Sequence, residues 1–204
     1  VGNMQMPVND SPFNDMDERT SAGRMGMVVF LASLAMFFLA GIFAFVVIRL
    51  GDAESWPPPD MPNLPGILLF STFAILLSSG SLSMAQRAVR LGSEQLVGYW
   101  MVWTYVLAIV FLVLQAIAWV QMIQAQADIT RHLYAWSFYV LTGIHAAHVL
   151  GGIIPLTIVV WKSIRQRYTQ DDHSGLTYIA MYWHFLDVAW IALYATLAWG
   201  SSSG

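Results

Sequence analysis

Four side chains that can carry protons or bind metal ions lie inside long stretches of otherwise uncharged sequence. His145 and His148 are three residues apart, and so are His184 and Asp187. On a helix, residues at this spacing share one face. Two histidines on one face could reach a single metal ion, with His184 as a third ligand. An aspartate one turn from a histidine can fix the imidazole tautomer or form an ion pair with it.

The residues alone leave three interpretations of this chemistry open. The first is a structural polar cluster, which Gln115 and Thr142 could extend as buried hydrogen-bonding partners. The second is metal or haem ligation: His148 and His184 could hold a haem between two helices, but no second such pair exists for a two-haem cytochrome. The third is a proton relay, because an ionisable residue within a membrane is a functional hypothesis by default.

The composition indicates what kind of structure must position these groups. Hydrophobic residues make up 57% of the 204 residues and charged residues 10%, against about 25% charged in a soluble domain. The nine Lys and Arg are scattered and outnumbered by twelve Asp and Glu, which argues against a nucleic-acid partner. The absence of cysteine excludes disulfides, thiolate metal sites and cysteine nucleophiles. The chain is therefore predicted to be a polytopic membrane protein.

Five runs with almost no charge are each long enough to cross a bilayer, which needs about 20 apolar helical residues. Helix is favoured because lipid cannot satisfy backbone polar groups, and the alternating segments of a barrel are absent. We predict an all-α integral membrane protein with five transmembrane helices, at about 25–48, 64–86, 96–123, 134–161 and 176–199. Residues 1–23 form a polar cytoplasmic tail before one transmembrane domain, 24–204. Residues 52–66 hold five prolines and are predicted to be a stiff, extended connector.

Orientation follows from the basic residues. Seven of the nine Lys and Arg fall in the tail and in the second and fourth connections, which share one side of a five-span protein. The positive-inside rule then places the N-terminus in the cytoplasm and the C-terminus outside.

Small residues recur at helical spacing in two spans and predict faces where a second helix can approach closely. Such a face either packs within the bundle or docks another subunit. The two stripes are Gly143, Ala147 and Gly151 in span four, and Ala74, Ser78, Ser81 and Ala85 in span two.

Four short segments resemble subunit III of the haem–copper respiratory oxidases, and the resemblance covers about residues 24–200. They are WPP at 56–58, QA at 115–116, TGIHAAHV at 142–149 and YWHFLDVAW at 182–190. The last two carry most of the specificity. The family usually has a glutamate where this chain has Leu34, and its other membrane carboxylate is replaced here by Ala118 or Ile117, which argues against a role in feeding protons through those positions.

The resemblance implies a non-catalytic subunit of the bacterial, five-helix form, in the bacterial cytoplasmic (inner) membrane. It implies no catalytic, cofactor or metal residues in this chain, with haem and copper held by partner subunits. The resemblance implies that subunit I is the main contact. It also implies contacts with other oxidase subunits and phospholipids, and membership of a larger respiratory supercomplex. It favours the structural interpretation of His145, His148, His184 and Asp187, which we expect to point into the bundle and bond to protein groups.

Other functions remain open from the sequence. The same subunit could serve a quinol oxidase or assist nitric oxide reduction, although the WPP loop favours the cytochrome c type. A stand-alone membrane cytochrome or transporter would need cofactor or substrate residues, and no Lys or Arg lies inside a predicted span.

Overall fold

A computed structural model describes residues 16–51, 62–125, 133–168 and 173–201, and every regular element in those ranges is a helix. All five helices are long and apolar enough to cross a membrane. This confirms the predicted all-α fold with five transmembrane helices. The helices are α1 (Met16–Gly51), α2 (Ile67–Arg90), α3 (Glu94–Gln124), α4 (Leu133–Ile164) and α5 (Ser174–Ser201).

Two helix starts differ from the predicted spans. Helix α1 begins at Met16, within the predicted tail, because the lack of charge marks where a helix can cross lipid and not where it must end in water. Helix α2 begins at Ile67, since Pro65 and Gly66 provide its first acceptors: their carbonyls bond to the N–H groups of Leu68 and Leu69 at 3.0 and 3.1 Å. Most of the proline-rich connector, with Trp56, lies outside the described residues.

Helices α2 to α5 form a closed ring in which each helix contacts the next and α5 returns to α2. Neighbours in the ring run antiparallel: Ser78 of α2 bonds to Thr104 of α3, and Ser81, further along α2, bonds to Trp100. Among the described residues helix α1 lies outside the ring and packs only against α4 and α5. It runs parallel to α5, since Gly23 lies beside Tyr178 and Arg49 beside Trp199. Only 11% of the most apolar stretch of α1 is buried by the described residues.

The alternating directions place the described basic residues mainly at one end of the bundle. Arg24, Arg87, Arg90, Lys162 and Arg165 belong to this end by helix polarity, whereas Arg49 lies at the other. Arg49 donates to the Trp199 carbonyl at 2.6 Å and stacks 4.0 Å from its ring centroid. The cytoplasmic location of the basic end stays a prediction from the charge rule.

Indole N–H groups bond across the interior of the bundle. Trp183 donates to Ser78 at 3.1 Å, and Trp190 donates to Thr72 at 2.9 Å, so both tie α5 to α2. Lipid tails are as apolar as leucine, so helix association in a membrane depends on close packing and on such bonds rather than on a hydrophobic driving force. The two tryptophans are fully buried and are the largest side chains of the core.

The two small-residue stripes have different surroundings. Ala74, Ser78, Ser81 and Ala85 are all buried, and Ser78 and Ser81 bond to α3 across the most extensive interface between the described helices, which supports internal packing. Ala147 and Gly151 are exposed, and a Cβ added at Gly143 or Gly151 would meet nothing within 4 Å. No described residue therefore covers most of the stripe of α4. The close approach on α4 is made instead by Gly152, where a Cβ would lie 2.6 Å from the ring of Tyr182.

Candidate functional site

The polar residues singled out from the sequence lie near the middle of their helices but do not form one cluster. His145 and His148 are on α4, His184 and Asp187 on α5, and Gln115 on α3. His145, Asp187 and Gln115 are buried, whereas His148 and His184 are only partly buried. The structure divides them into a group between α2 and α5 and a separate environment around α4.

The first group joins α5 to α2 through a serine that the sequence analysis did not identify. The Ser79 Oγ lies 2.5 Å from the Nδ1 of His184. The same Nδ1 is 3.8 Å from the Oδ2 of Asp187, which is one turn further along α5. A serine nucleophile and its orienting carboxylate act on opposite nitrogens of a catalytic histidine. Here both lie at Nδ1, so the group does not have the geometry of a relay that activates serine.

His145 occupies an aromatic environment built from three other helices. Its ring centroid is 6.0 Å from that of Phe38 in α1, 5.7 Å from Phe111 in α3 and 5.0 Å from Trp190 in α5. Neither ring nitrogen has a hydrogen-bond partner among the described residues. The expectation that the three histidines and Asp187 all hydrogen-bond to protein groups therefore fails for His145, because three aromatic rings surround it instead. It also fails for Asp187, whose carboxylate oxygens are buried and have no hydrogen-bond partner among the described residues.

His148 is held by its own helix. Its Nδ1 lies 2.8 Å from the Ile144 carbonyl. A carbonyl only accepts, so Nδ1 donates and, in the neutral ring, Nε2 is the unprotonated nitrogen. The Phe38 ring centroid is 5.2 Å from that of His148, and the Tyr182 hydroxyl donates to the His148 backbone carbonyl at 2.8 Å. Leu34 lies one turn before Phe38 on α1. It is the position at which the family that the sequence resembles usually has glutamate.

Thr142 and Gln115 also differ in their bonding. The Thr142 hydroxyl donates to the Phe138 carbonyl at 2.6 Å and accepts the Trp119 indole N–H at 3.0 Å, which couples α4 to α3. The amide of Gln115 is buried and has no hydrogen-bond partner among the described residues. Thr142 thus joins α4 to α3 and does not bond to the histidines, and Gln115 is not joined to it by a hydrogen bond in this structure.

The three histidines do not form the metal site that their spacing allows. Within residues 16–51, 62–125, 133–168 and 173–201, no three His, Cys, Asp or Glu residues are placed to hold a metal ion. His145 faces aromatic rings, whereas His184 faces Ser79. The haem pair allowed by the sequence is not brought together, because His148 packs against Phe38 of α1 whereas His184 faces Ser79 of α2.

Two cavities lie along the sides of α1. The larger, about 420 Å³, is bounded by α1, α4 and α5 near the basic end. It is lined mostly by apolar and aromatic side chains, with Lys162 as the charged residue; Phe30, Ile158, Tyr178 and Tyr182 are among the others. The smaller, about 190 Å³, lies between α1 and α4 near the opposite end.

Together these features define a polytopic membrane protein in which several polar groups within the membrane join one helix to another. Comparison with protein families matches residues 16–202 to cytochrome c oxidase subunit III. The chain belongs to the cytochrome c oxidase subunit III family, which confirms the resemblance drawn from its sequence motifs.

Individual relatives agree with this assignment. The chain is 33% identical over 182 residues to cytochrome c oxidase subunit 3 of Marchantia polymorpha, covering 86% of this chain and 68% of that protein. It is 34% identical over 193 residues to the subunit of Anopheles gambiae, covering 88% and 70%. The subunit of Arabidopsis thaliana is 34% identical over 182 residues, with 86% and 68% covered.

Proposed function

We propose that this chain is an accessory, non-catalytic subunit of a cytochrome c oxidase and packs in the membrane against subunit I. The observation that carries the proposal is the use of its intramembrane polar groups. Ser79 with His184, Thr142 with Trp119, and Ser78 with Trp183 all join helices. None of these pairs has the geometry of a catalytic group, and none forms a set of ligands for the metals that oxygen reduction requires. Haem and copper then belong to the partner subunits.

The outer surface supports a role within a complex. Helix α1 exposes large apolar side chains along its length, including Met36 and Phe43 at 73% and 69%. Lipid or neighbouring protein must cover this surface. In this role the chain stabilises the complex mechanically, by covering part of the core subunits' membrane face, and takes no part in electron transfer.

Bound phospholipid is the second part of the proposed function. The cavity beside α1 would accept acyl chains, and Lys162 with the neighbouring Arg165 would attract an anionic headgroup at the basic end. Arg165 lies 4.0 Å over the ring of Trp161, an amphipathic side chain of the kind that anchors at a membrane interface.

The setting that we propose is the cytoplasmic membrane of a bacterium, with the N-terminus in the cytoplasm, and assembly with the other oxidase subunits, extending to a supercomplex. A cytochrome c oxidase is favoured over a quinol oxidase because the relatives above bear the cytochrome c oxidase name.

Affinity purification of the chain from its native membrane in mild detergent tests this proposal. We expect the haem-bearing subunits to co-purify in a constant ratio, and the chain alone to show no haem absorption. Recovery of the chain without any haem-bearing subunit, or a haem spectrum from the isolated chain, would contradict it.

A further inference from the structure

His184 is a partly exposed histidine close to the midpoint of a transmembrane helix. Its side chain is 39% exposed, and it is the eleventh of the 28 residues of α5. Val188 and Ile191, which follow it at helical spacing, are exposed and apolar at 66% and 44%. At this depth the surroundings are hydrocarbon, where an ionisable side chain normally faces protein or a water-filled cavity.

The two ring nitrogens of His184 differ in their surroundings. Nδ1 is engaged by Ser79 and Asp187. Nε2 has no hydrogen-bond partner among the described residues, and it is not a buried atom. If the Ser79 hydroxyl donates to Nδ1, Nε2 carries the proton and is a donor. If Nδ1 donates instead, Nε2 is an acceptor. In both tautomers Nε2 can form a hydrogen bond with a group outside this chain.

The surface next to His184 is open. We name it the α2–α5 seam and define it by Ser79, Gly80, Ser83, His184 and Val188. Gly80 is exposed, and a Cβ there would meet nothing within 4 Å. Ser83 lies one turn after Ser79, and its hydroxyl is bonded to the Ser79 carbonyl at 3.0 Å, so it adds little bulk or unsatisfied polarity. A helix can therefore approach the seam closely enough to reach Nε2.

A second partly buried histidine, His148, provides a comparison at similar depth. Its Nδ1 bonds within its own helix, and the rings of Phe37 and Phe38 lie 6.2 and 5.2 Å from its ring centroid. Aromatic side chains of α1 thus shield it on the far side of the molecule. The small-residue stripe of α4 is exposed too, but it carries no polar group that would specify a partner.

We infer that the α2–α5 seam is the face on which a transmembrane helix of a neighbouring oxidase subunit packs, and that this helix supplies a hydroxyl or amide side chain to the Nε2 of His184. Hydroxyl and amide groups both donate and accept, so they suit either tautomer. The inference rests on the proposed function and adds the docking face and the chemistry of the contact.

The same substitution at the two histidines tests this inference. The complete complex is purified in mild detergent with His184→Phe or His148→Phe, and the amount of this chain per haem is measured during dilution. Interhelical hydrogen bonds in membranes correspond to about a three- to fifteen-fold change in the dissociation constant. We expect a loss of this size for His184→Phe and none for His148→Phe, with partial recovery for His184→Gln.

A second measurement does not depend on whether the phenylalanine variant folds. A photoreactive residue replaces Val188, and as a control Ile154, which is 68% exposed on α4. We expect crosslinks from position 188 to a transmembrane peptide of a haem–copper oxidase subunit, identified by mass spectrometry. Crosslinks only to lipid at 188, or equal retention of both histidine variants, would overturn the docking face. Absence of the wild-type chain from the oxidase would instead overturn the proposed function.

Discussion

At the scale of single residues, Asp187 is the informative position, because it is the acid that remains inside the membrane and it lies beside His184. Its side chain is 5% exposed, and Ser79 and Asp187 together flank the Nδ1 of His184. Removing the carboxyl leaves Ser79 alone to orient the ring. Asp187 therefore helps to orient the His184 ring, and with it Nε2, although Asp187 itself is buried and would not contact the neighbouring subunit.

We expect Asp187→Leu to weaken retention of the subunit by up to about fifteen-fold, the range of one interhelical hydrogen bond. The haem spectrum of the complex should not change. Retention is measured as chain per haem after purification, and Asp187→Asn, which keeps the size and polarity, is the matched control and should retain more. A lost or shifted haem band in the leucine variant would show that this group serves a cofactor.

The sequence identified the ionisable residues of the site, but it did not show which residues of other helices they contact. His145, His148, His184 and Asp187 stand out because ionisable residues are rare in spans, but their spacing gives only a shared face on each helix. Ser79 was missed because α2 has several serines within one apolar run, and spacing does not show which of them faces α5. The aromatic surroundings of His145 come from α1, α3 and α5, so no local pattern indicates them.

At the scale of elements, the five helices were predictable because each needs a long uncharged run, but their faces were not. A span that is apolar all round has no periodic pattern to show which side is buried. The stripe of α2 is buried within the chain, whereas on α4 the internal contact is displaced by one residue from Gly151 to Gly152. Such a displacement turns the contact by about 100° around the helix.

The adjacent glycines of α4 give a matched pair of substitutions. Gly152→Ala places a methyl group against the Tyr182 ring, so we expect destabilisation by about 1–3 kcal/mol through overpacking. Gly151→Ala meets open space and should be neutral or stabilising by up to about 1 kcal/mol, through higher helix propensity. Unfolding of the purified chain in detergent measures both. A larger loss at position 151 than at 152 would contradict this packing of α4 on α5.

At the scale of the whole molecule, the cavity beside α1 makes lipid occupancy testable. Ile158 lines the cavity, whereas Ile154, one turn earlier on α4, is not among its lining residues. We expect Ile158→Trp to reduce the phospholipid that co-purifies with the chain, and Ile154→Trp to leave it unchanged. Native mass spectrometry counts the bound lipids. Equal lipid content in the wild type and both variants would argue against lipid in this cavity.

The orientation of the bundle can be tested cleanly because the chain has no cysteine. Asn63 precedes α2 and Ser93 precedes α3, at opposite ends of the bundle. We expect Ser93→Cys to react with a membrane-impermeant maleimide only in inside-out vesicles, and Asn63→Cys only in right-side-out cells. The reverse pattern would show that the positive-inside rule gives the wrong orientation for this chain.

The peripheral position of α1 has a consequence for the order in which the chain assembles during synthesis. Of the five described helices α1 is synthesised before the others, yet within the described residues it packs only on α4 and α5, the last two of the five to be made. Helix α1 therefore lacks these packing partners while α2 and α3 are inserted and pair with each other. A nascent chain that stops before residue 174 therefore contains α1 without α5, its main packing partner among the described helices.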